Sequence, residues 1–397
     1  MLKFFKNSCN IFILLWCLYL LSGPIGFPSV LRVGLQLLII GISGVNMVRV
    51  MLLYGLQDFL KSLFVLLALF TIYGLIMMMD GDVYVIRSNW MPVAKSSYLI
   101  FTYLSLLPIY AFYYYTRKGY LTIKILKRWS LCFFVIATIG YFYSERQALA
   151  LALENGYDLE ETTNNAAYSI LALLPILAFW SDNRKVQYFG IAFVGVFLLM
   201  AMKRGAILIG IMTILLLMRS TQKSNTGHLK IGSLMLGLVV LAVCVWYFNY
   251  MMENSDYFKY RFFSTQEHNT SGRDVIYQSL IDNYKSESLL NQIFGLGANA
   301  TLKVTTNFAH NDWLEILINQ GAVGILVYLA FYYRWFQTWR KMDNIKVEKL
   351  ALGLCLLILF MKTLFSMSYN SVSVYLSIVI GFSIAQKNIE ENEKNYL

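Results

Sequence analysis

His310 is the side chain in this sequence best suited to taking a proton at neutral pH. It is one of three histidines among 397 residues and stands where a long polar segment meets an apolar one, followed by Asn311, Asp312 and, five positions on, Glu315. An imidazole with an unperturbed pKa of about 6.5 suits general base catalysis. Asn311, Asp312 and Glu315 are predicted supporting residues, and the two carboxylates are close enough in sequence to orient the ring. The alternative is an interfacial histidine held by hydrogen bonds.

Basic residues in two other places could hold an anion. Lys203 and Arg204 lie together between two apolar runs, and Arg273 stands in the first turn of a predicted helix, where a cation gains nothing from the helix dipole. Arginine suits phosphate because its planar fork forms paired, charge-assisted hydrogen bonds. The alternatives are that Lys203 and Arg204 face lipid phosphates and that Arg273 pairs with a nearby acid such as Asp274.

Composition sets the class of protein that must position these residues. Hydrophobic residues make up 58% of the chain, charged residues only 14%, and the mean hydropathy is +0.56. These values are typical of a polytopic membrane protein, and helices are the structure expected for its spans outside β-barrels. The predicted fold class is therefore an all-α polytopic membrane protein.

The apolar runs predict about twelve transmembrane helices. The first is kept as a span because no small-residue cleavage site follows it. A large external loop separates spans nine and ten. The predicted spans lie near residues 10–23, 30–46, 59–79, 97–115, 129–144, 165–181, 186–202, 205–219, 231–249, 312–334, 350–367 and 371–386.

Basic residues predict the orientation of these spans. They concentrate in three loops that alternate correctly for one side of the membrane, which is therefore the cytoplasmic side. The predicted organisation is nine spans in 1–248, an external loop with short amphipathic helices in 249–311, three spans in 312–386 and a cytoplasmic tail in 387–397. Both termini then lie inside. The net charge of +11 comes mostly from the basic residues of the cytoplasmic loops, so it does not indicate nucleic-acid binding.

Several other classes of site lack their sequence signatures. The five cysteines lie in or beside apolar runs without a CxxC pair, so neither a disulfide framework nor a zinc site is indicated. The sequence also has no phosphate-binding P-loop, no HExxH motif and no dinucleotide-binding glycine pattern. ATP-driven and metalloprotease functions are therefore disfavoured.

Short motifs follow one another between about residues 200 and 330. They are Lys203-Arg204-Gly205-Ala206, Ser271-Gly272-Arg273, Gly295-Leu296-Gly297, His310-Asn311, Gly321 and Gly324. In this order, and with about twelve spans and a large external loop, they resemble the O-antigen polymerase and O-antigen ligase family of bacterial surface polysaccharide assembly. One departure is Lys203, which stands where the family often has a serine.

The resemblance implies a membrane glycosyltransferase of the GT-C type, located in the bacterial cytoplasmic membrane with its active site facing outward. It would use a glycan on undecaprenyl diphosphate as donor, without metal or other cofactor. By position, His310 corresponds to the family's proposed catalytic histidine, and Arg204 and Arg273 to arginines associated with the diphosphate. Arg261 corresponds in a looser match, and Lys203 completes the predicted diphosphate-binding set. A single displacement would invert the anomeric configuration.

Three functional alternatives stay open at this stage. A polymerase would transfer the glycan to another lipid-linked repeat unit, with a chain-length regulator as a possible partner, whereas a ligase would transfer it to lipid A core. The His310-Asn311 segment and the compact loop favour the polymerase. A transporter of the same lipid-linked sugars is the alternative from another class, with Lys362 as its main intramembrane charged residue.

Overall fold

The computed structural model describes most of the chain as helices. The described residues are 7–86, 91–154, 166–201, 203–223, 246, 249–250, 252–254, 273–369 and 373–395. In the first half, the helices are α1 (Ser8–Ser22), α2 (Ser29–Tyr54), α3 (Asp58–Met79), α4 (Lys95–Leu106), α5 (Pro108–Arg117) and α6 (Ile123–Glu154). A short antiparallel hairpin, β1 (Val85–Ile86) and β2 (Met91–Pro92), joins α3 to α4, with Val85 opposite Pro92.

The remaining helices include several short ones. They are α7 (Ala167–Leu171), α8 (Leu174–Leu177) with the 3₁₀ turn Ala178–Trp180, α9 (Arg184–Met200), α10 (Arg204–Lys223), α11 (Arg273–Ser286), α12 (Leu289–Phe294), α13 (Thr301–Thr305), α14 (Asp312–Arg340), α15 (Lys346–Phe365) and α16 (Val374–Asn395).

The predicted all-α membrane class is confirmed at this level of detail. Described helices cover eleven of the twelve predicted spans, and the ninth, 231–249, lies almost entirely outside the described residues. Five helices among the described residues are long and apolar enough to cross a membrane: Ser29–Tyr54, Asp58–Met79, Lys95–Arg117, Ile123–Gln147 and Asp312–Arg340. The count of twelve spans and the placement of the loop outside stay predictions.

Prolines divide two of the predicted spans. The span predicted at 97–115 consists of α4 and α5, and Pro108 is the first residue of α5. The span predicted at 165–181 consists of α7, α8 and a 3₁₀ turn, with Pro175 in the first turn of α8. Proline lacks the N–H that an uninterrupted helix would use, so it is tolerated at such helix starts.

Polar contacts show which helix connections lie together at each end of the bundle. At one end Lys127 pairs with Asp182 at 2.6 Å. At the other end Lys303 pairs with Asp80 at 2.9 Å, and the Tyr73 hydroxyl donates to the Phe294 carbonyl. Each ion pair joins residues in loops that the basic-residue pattern assigns to the same side. Which end faces the cytoplasm stays a prediction.

The helix predicted to begin near Arg273 is present as α11. Its buried Leu280 packs with Ala300, Ala309 and Ile318, and its partly buried Ile276 and Tyr284 lie against the same cluster. The apolar face of α11 therefore packs against protein rather than against the bilayer. This packing carries Arg273, the first residue of α11, towards the segment that contains His310.

Candidate functional site

His310 lies in a two-residue connection between the buried Ala309 and the start of α14. Its φ of 52° places the backbone in the left-handed region, which a residue with a side chain seldom adopts. Such a conformation costs of order 1–3 kcal/mol and persists only where the surroundings hold it. The contacts of the flanking residues are therefore part of the site.

Asn311 fixes the start of α14 directly after His310. It is the N-cap residue, and its Oδ1 accepts from the backbone N–H groups of Trp313 at 2.9 Å and Leu314 at 3.3 Å. These bonds satisfy donors that would otherwise lack a partner in the first turn. The Trp313 indole N–H donates to Thr363 Oγ1 at 2.9 Å, which ties the same turn to α15.

Glu315 holds the backbone on the other side of His310. This fully buried carboxylate accepts from the Ala309 N–H at 2.5 Å, from Thr301 Oγ1 at 2.7 Å and from Asn319 Nδ2 at 3.4 Å. A buried carboxylate is retained only where several donors replace its lost hydration. Glu315 thus anchors the residue before His310 to α13 and α14.

Asp312 binds a different part of the structure. Its Oδ1 accepts from the Ser368 N–H at 2.8 Å, and its Oδ2 accepts from the Tyr328 hydroxyl at 2.7 Å and from the Ser368 hydroxyl. Among the described residues, neither Asp312 nor Glu315 forms a hydrogen bond with His310. The two carboxylates support the histidine through the backbone, and the direct contact considered from sequence is not seen.

Two of the predicted cations lie close to His310. Desolvation of the imidazole, followed by the positive charges of Arg273 and Lys203, lowers the pKa of His310 from its usual value to about 4. Part of the residue stays exposed, so solvent remains in contact with it. The imidazole is therefore neutral at pH 7 and has a free nitrogen for a proton.

Arg273 and Lys203 are held by neighbouring elements. The Arg273 guanidinium donates to the Phe365 carbonyl at the end of α15 at 3.3 Å. The Lys203 ammonium lies 5.7 Å from the centre of the Tyr168 ring, a cation–π distance. Because Phe365 is distant in sequence from Arg273, this grouping depends on the packing of α15 and α11.

The other two predicted arginines have different outcomes. Arg204 is the exposed first residue of α10, directly after Lys203. Arg261 lies outside the described residues, as do Ser271 and Gly272 of the predicted motif. Diphosphate binding by these two arginines stays a prediction, as it does for Arg273 and Lys203.

Two further residues lie beside this group and were not predicted to belong to it. Tyr168 is buried, and Lys362 lies with its ammonium 4.8 Å from the centre of the same ring, so two lysines approach one aromatic ring. Lys362 is itself buried, and its charge interacts with Asp312. The available signal was a lysine within an apolar run, which the sequence analysis assigned only to the transporter alternative.

Gly205 allows this part of the bundle to close. A Cβ at this position would lie 2.8 Å from the Phe365 Cβ and 2.9 Å from the Tyr168 hydroxyl. Any side chain would therefore force α10 away from α15. The glycine after Lys203-Arg204 thus has a packing role.

A break divides α14 at Gly321. Gly321 adopts φ 66° and ψ −160°, a conformation restricted almost entirely to glycine. The break leaves the Ile318 and Asn319 carbonyls without helical partners, and they accept from the N–H groups of Leu296 at 2.8 Å and Gly297 at 3.0 Å. The span predicted at 312–334 is therefore a short helix, carrying the His310 connection, that joins a longer apolar helix at Gly321.

No group of three or more His, Cys, Asp or Glu residues is arranged to hold a metal ion in the part of the chain that the structure describes. The nearest acidic side chains to His310 in sequence are already bound by Ser368, Tyr328, Thr301 and Asn319. The prediction of a metal-independent and cofactor-independent site is not tested by these contacts.

The fold and the site define an all-α membrane protein that brings a neutral histidine, an arginine and a lysine together at one end of its helix bundle. Residues 189–329 match the family model described as O-antigen ligase. The resemblance to the O-antigen ligase and polymerase family is confirmed by this match. The matched segment, about a third of the chain, includes Lys203, Arg204, Arg273 and His310. No curated protein matches the chain.

Proposed function

We propose that the protein is an inverting, metal-independent glycosyltransferase that polymerises undecaprenyl-diphosphate-linked repeat units into a surface polysaccharide at the outer face of the bacterial cytoplasmic membrane. The observation that carries the proposal is the approach of Arg273 and Lys203 to a neutral His310. Transfer from a sugar diphosphate needs a base for the acceptor hydroxyl and cations for the departing diphosphate. The O-antigen ligase match supports the same chemistry.

The step is a single displacement at the anomeric carbon. The acceptor hydroxyl oxygen forms the new glycosidic bond while the bond between the anomeric carbon and the diphosphate oxygen breaks. His310 takes the hydroxyl proton, and the electron pair of the broken bond leaves on the diphosphate. Arg273, Lys203, Arg204 and, by the looser match, Arg261 hold that anion. Glu315 and Asn311 position His310 by fixing the backbone on either side of it.

The ligase is the second candidate because the matching family model is described as an O-antigen ligase. Both reactions use the same donor, the same base and the same cations. They differ in the acceptor, which is a lipid-linked repeat unit for the polymerase and lipid A core for the ligase. A chain-length regulator is a further proposed partner of the polymerase.

The base is tested by His310→Ala in a strain that lacks the native gene, with protein levels matched by immunoblot. We expect transfer to fall by about 10²–10⁴-fold, the usual contribution of a general base. His228→Ala is the matched control, since sequence places His228 in a cytoplasmic loop. Near wild-type transfer by His310→Ala would refute the base assignment.

The diphosphate-binding arginines are tested by Arg204→Lys and Arg273→Lys. Each retains the charge but loses the planar fork, so we expect reduced transfer. Full activity of either variant would show that its arginine contributes only bulk charge.

A gel of surface glycans from the deletion strain separates the two reactions: single-repeat caps indicate a lost polymerase, and bare core with polymer left on its carrier indicates a lost ligase.

A further inference from the structure

A polar pocket of about 180 Å³ lies at the end of the bundle opposite His310. It is formed where the C-terminal ends of α2 and α5, the start of α3 and the last turns of α16 meet. Its polar lining consists of Tyr54, Gln57, Tyr113, Arg117, Asn388 and Asn392. The pocket therefore joins elements from both ends of the sequence.

Two cations converge on one ring of this pocket. The Arg117 guanidinium carbon lies 4.7 Å from the centre of the Tyr54 ring, and the Lys118 ammonium lies 6.0 Å from it. Among the described residues, Arg117 forms no ion pair with a carboxylate. Its guanidinium donors are thus available to an anion in the pocket, where the Gln57 and Asn392 amides can add neutral donors.

The nearby carboxylates are directed to another cation. Asp58 and Glu391 approach the buried Lys387 ammonium at 3.8 Å and 2.6 Å. Asn388, the next residue on α16, donates to the Tyr113 hydroxyl at 2.9 Å. Lys387 holds both carboxylates and its charge offsets one of the two, so the two positive charges of Arg117 and Lys118 outweigh the one that remains.

An exposed apolar surface continues from the pocket along α2. Leu53 belongs to the pocket lining and is 57% exposed, and the preceding Leu52 is 80% exposed. Val45 and Val48 are also exposed and lie on the same helical face as Leu52. An arginine pocket that borders such a surface matches a ligand with a charged head and apolar tails, and a free anion would not use the apolar part.

We infer that this pocket binds the phosphate headgroup of an anionic membrane phospholipid, whose acyl chains lie along the exposed face of α2. The bound headgroup links α16 to α5 through Arg117, Asn388 and Asn392, and Tyr54 and Gln57 bring the end of α2 and the start of α3 to the same pocket. The site is separate from His310 and does not depend on the proposed transferase reaction. It would act on the stability of the bundle.

The test uses the full-length protein purified in detergent with phosphatidylcholine, to which phosphatidylglycerol is added. Native mass spectrometry measures the phosphatidylglycerol retained, and thermal unfolding measures the shift in melting midpoint. We expect Arg117→Gln to weaken retention roughly tenfold, as for the loss of one charge-assisted contact, and to remove most of the shift. Lys124→Gln is the matched control, because Lys124 is an exposed cation at the same end but outside the pocket.

Asn392→Asp is a second variant that guards against misfolding. Asn392 is exposed, so the substitution should still allow folding, which the midpoint in phosphatidylcholine alone checks, while the new carboxylate repels the phosphate. Equal loss of retention in Lys124→Gln would show a diffuse charge effect and overturn the proposal. So would equal retention of phosphatidylcholine, or a midpoint shift reproduced by inorganic phosphate alone.

Discussion

Replacing Glu315 by glutamine tests whether this residue supports His310 through the backbone. The carboxylate accepts from the Ala309 N–H at 2.5 Å, Thr301 Oγ1 at 2.7 Å and Asn319 Nδ2 at 3.4 Å. A glutamine of the same shape retains one acceptor oxygen and replaces the other by an amide group with two donors. If the oxygen stays with Ala309, the Thr301 hydroxyl can rotate to accept, but Asn319 Nδ2 then faces another donor.

The expected change in the free energy of unfolding follows from the number of donors that lose their acceptor. One buried donor without an acceptor costs about 1–3 kcal/mol, and removal of a buried charge offsets part of that cost. We expect Glu315→Gln to lower the free energy of unfolding by about 1–2 kcal/mol. Glu315→Ala leaves the Ala309 and Thr301 donors unsatisfied and opens a cavity, so its expected loss is about 3–5 kcal/mol.

The assay compares unfolding with transfer kinetics as a function of pH. A weaker anchor at Ala309 lets the left-handed backbone of His310 relax, so kcat is expected to fall by about tenfold, equivalent to ~1.4 kcal/mol. The acidic limb of the pH profile should not move, because Arg273 and Lys203 still set the charge around the imidazole. Glu348→Gln, a buried glutamate on α15, is the control. A shifted limb in Glu315→Gln, or unchanged kcat and stability, would refute this reasoning.

Two further predictions concern the surroundings of His310. Desolvation and Arg273 are the larger causes of the low His310 pKa, and Lys203→Gln removes the remaining one, so that pKa should rise part of the way from about 4 towards its usual value and the acidic limb of kcat/KM should move slightly to higher pH; an unmoved limb would contradict the assigned electrostatics. Gly321→Ala places a Cβ 2.5 Å from the Gly295 nitrogen and strains the backbone, so thermal unfolding should show a loss of roughly 3 kcal/mol or more, whereas Gly140→Ala, in an open helical position, should be neutral or stabilising. Similar melting midpoints for the two alanine variants would show that α14 can bend without glycine.

Local patterns in the sequence predicted much of the fold. Apolar runs of helical length placed helices over most of the predicted spans, because burial of a helical backbone in an apolar layer requires such runs. The helix predicted at Arg273 is α11, and Ile276, Leu280 and Tyr284, which recur at helical spacing, form its buried face. Two predicted spans are divided in the structure, and the sequence contains a signal for each division, because Pro108 and Pro175 stand at the breaks.

The geometry around His310 had weaker signals because it depends on residues far apart in sequence. The approach of Lys362 and Lys203 to Tyr168 joins three separate segments, and no local periodicity specifies it. The left-handed backbone of His310 depends on its flanking contacts, including the bond from Ala309 to Glu315. The sequence therefore indicated candidate residues for the proposed chemistry, while their mutual positions depend on the packed bundle.

The cations around His310 imply that the diphosphate donor binds before the histidine becomes an effective base. Before the substrate binds, desolvation and the charges of Arg273 and Lys203 hold the His310 pKa near 4, so the ring is neutral but a weak base. A bound diphosphate would offset these positive charges, and the pKa should then rise, which makes the ring a stronger base when the donor is in place.

This coupling can be measured by two pH profiles. With limiting donor the rate reports the free enzyme, and its acidic limb should lie near pH 4. With saturating donor the rate reports the complex, and the limb should lie at higher pH. Lys203→Gln should bring the two limbs closer together, because it raises the pKa of the free enzyme more than that of the complex. If the two limbs coincide in the native protein, the donor does not compensate these cations, and the diphosphate must bind elsewhere than beside His310.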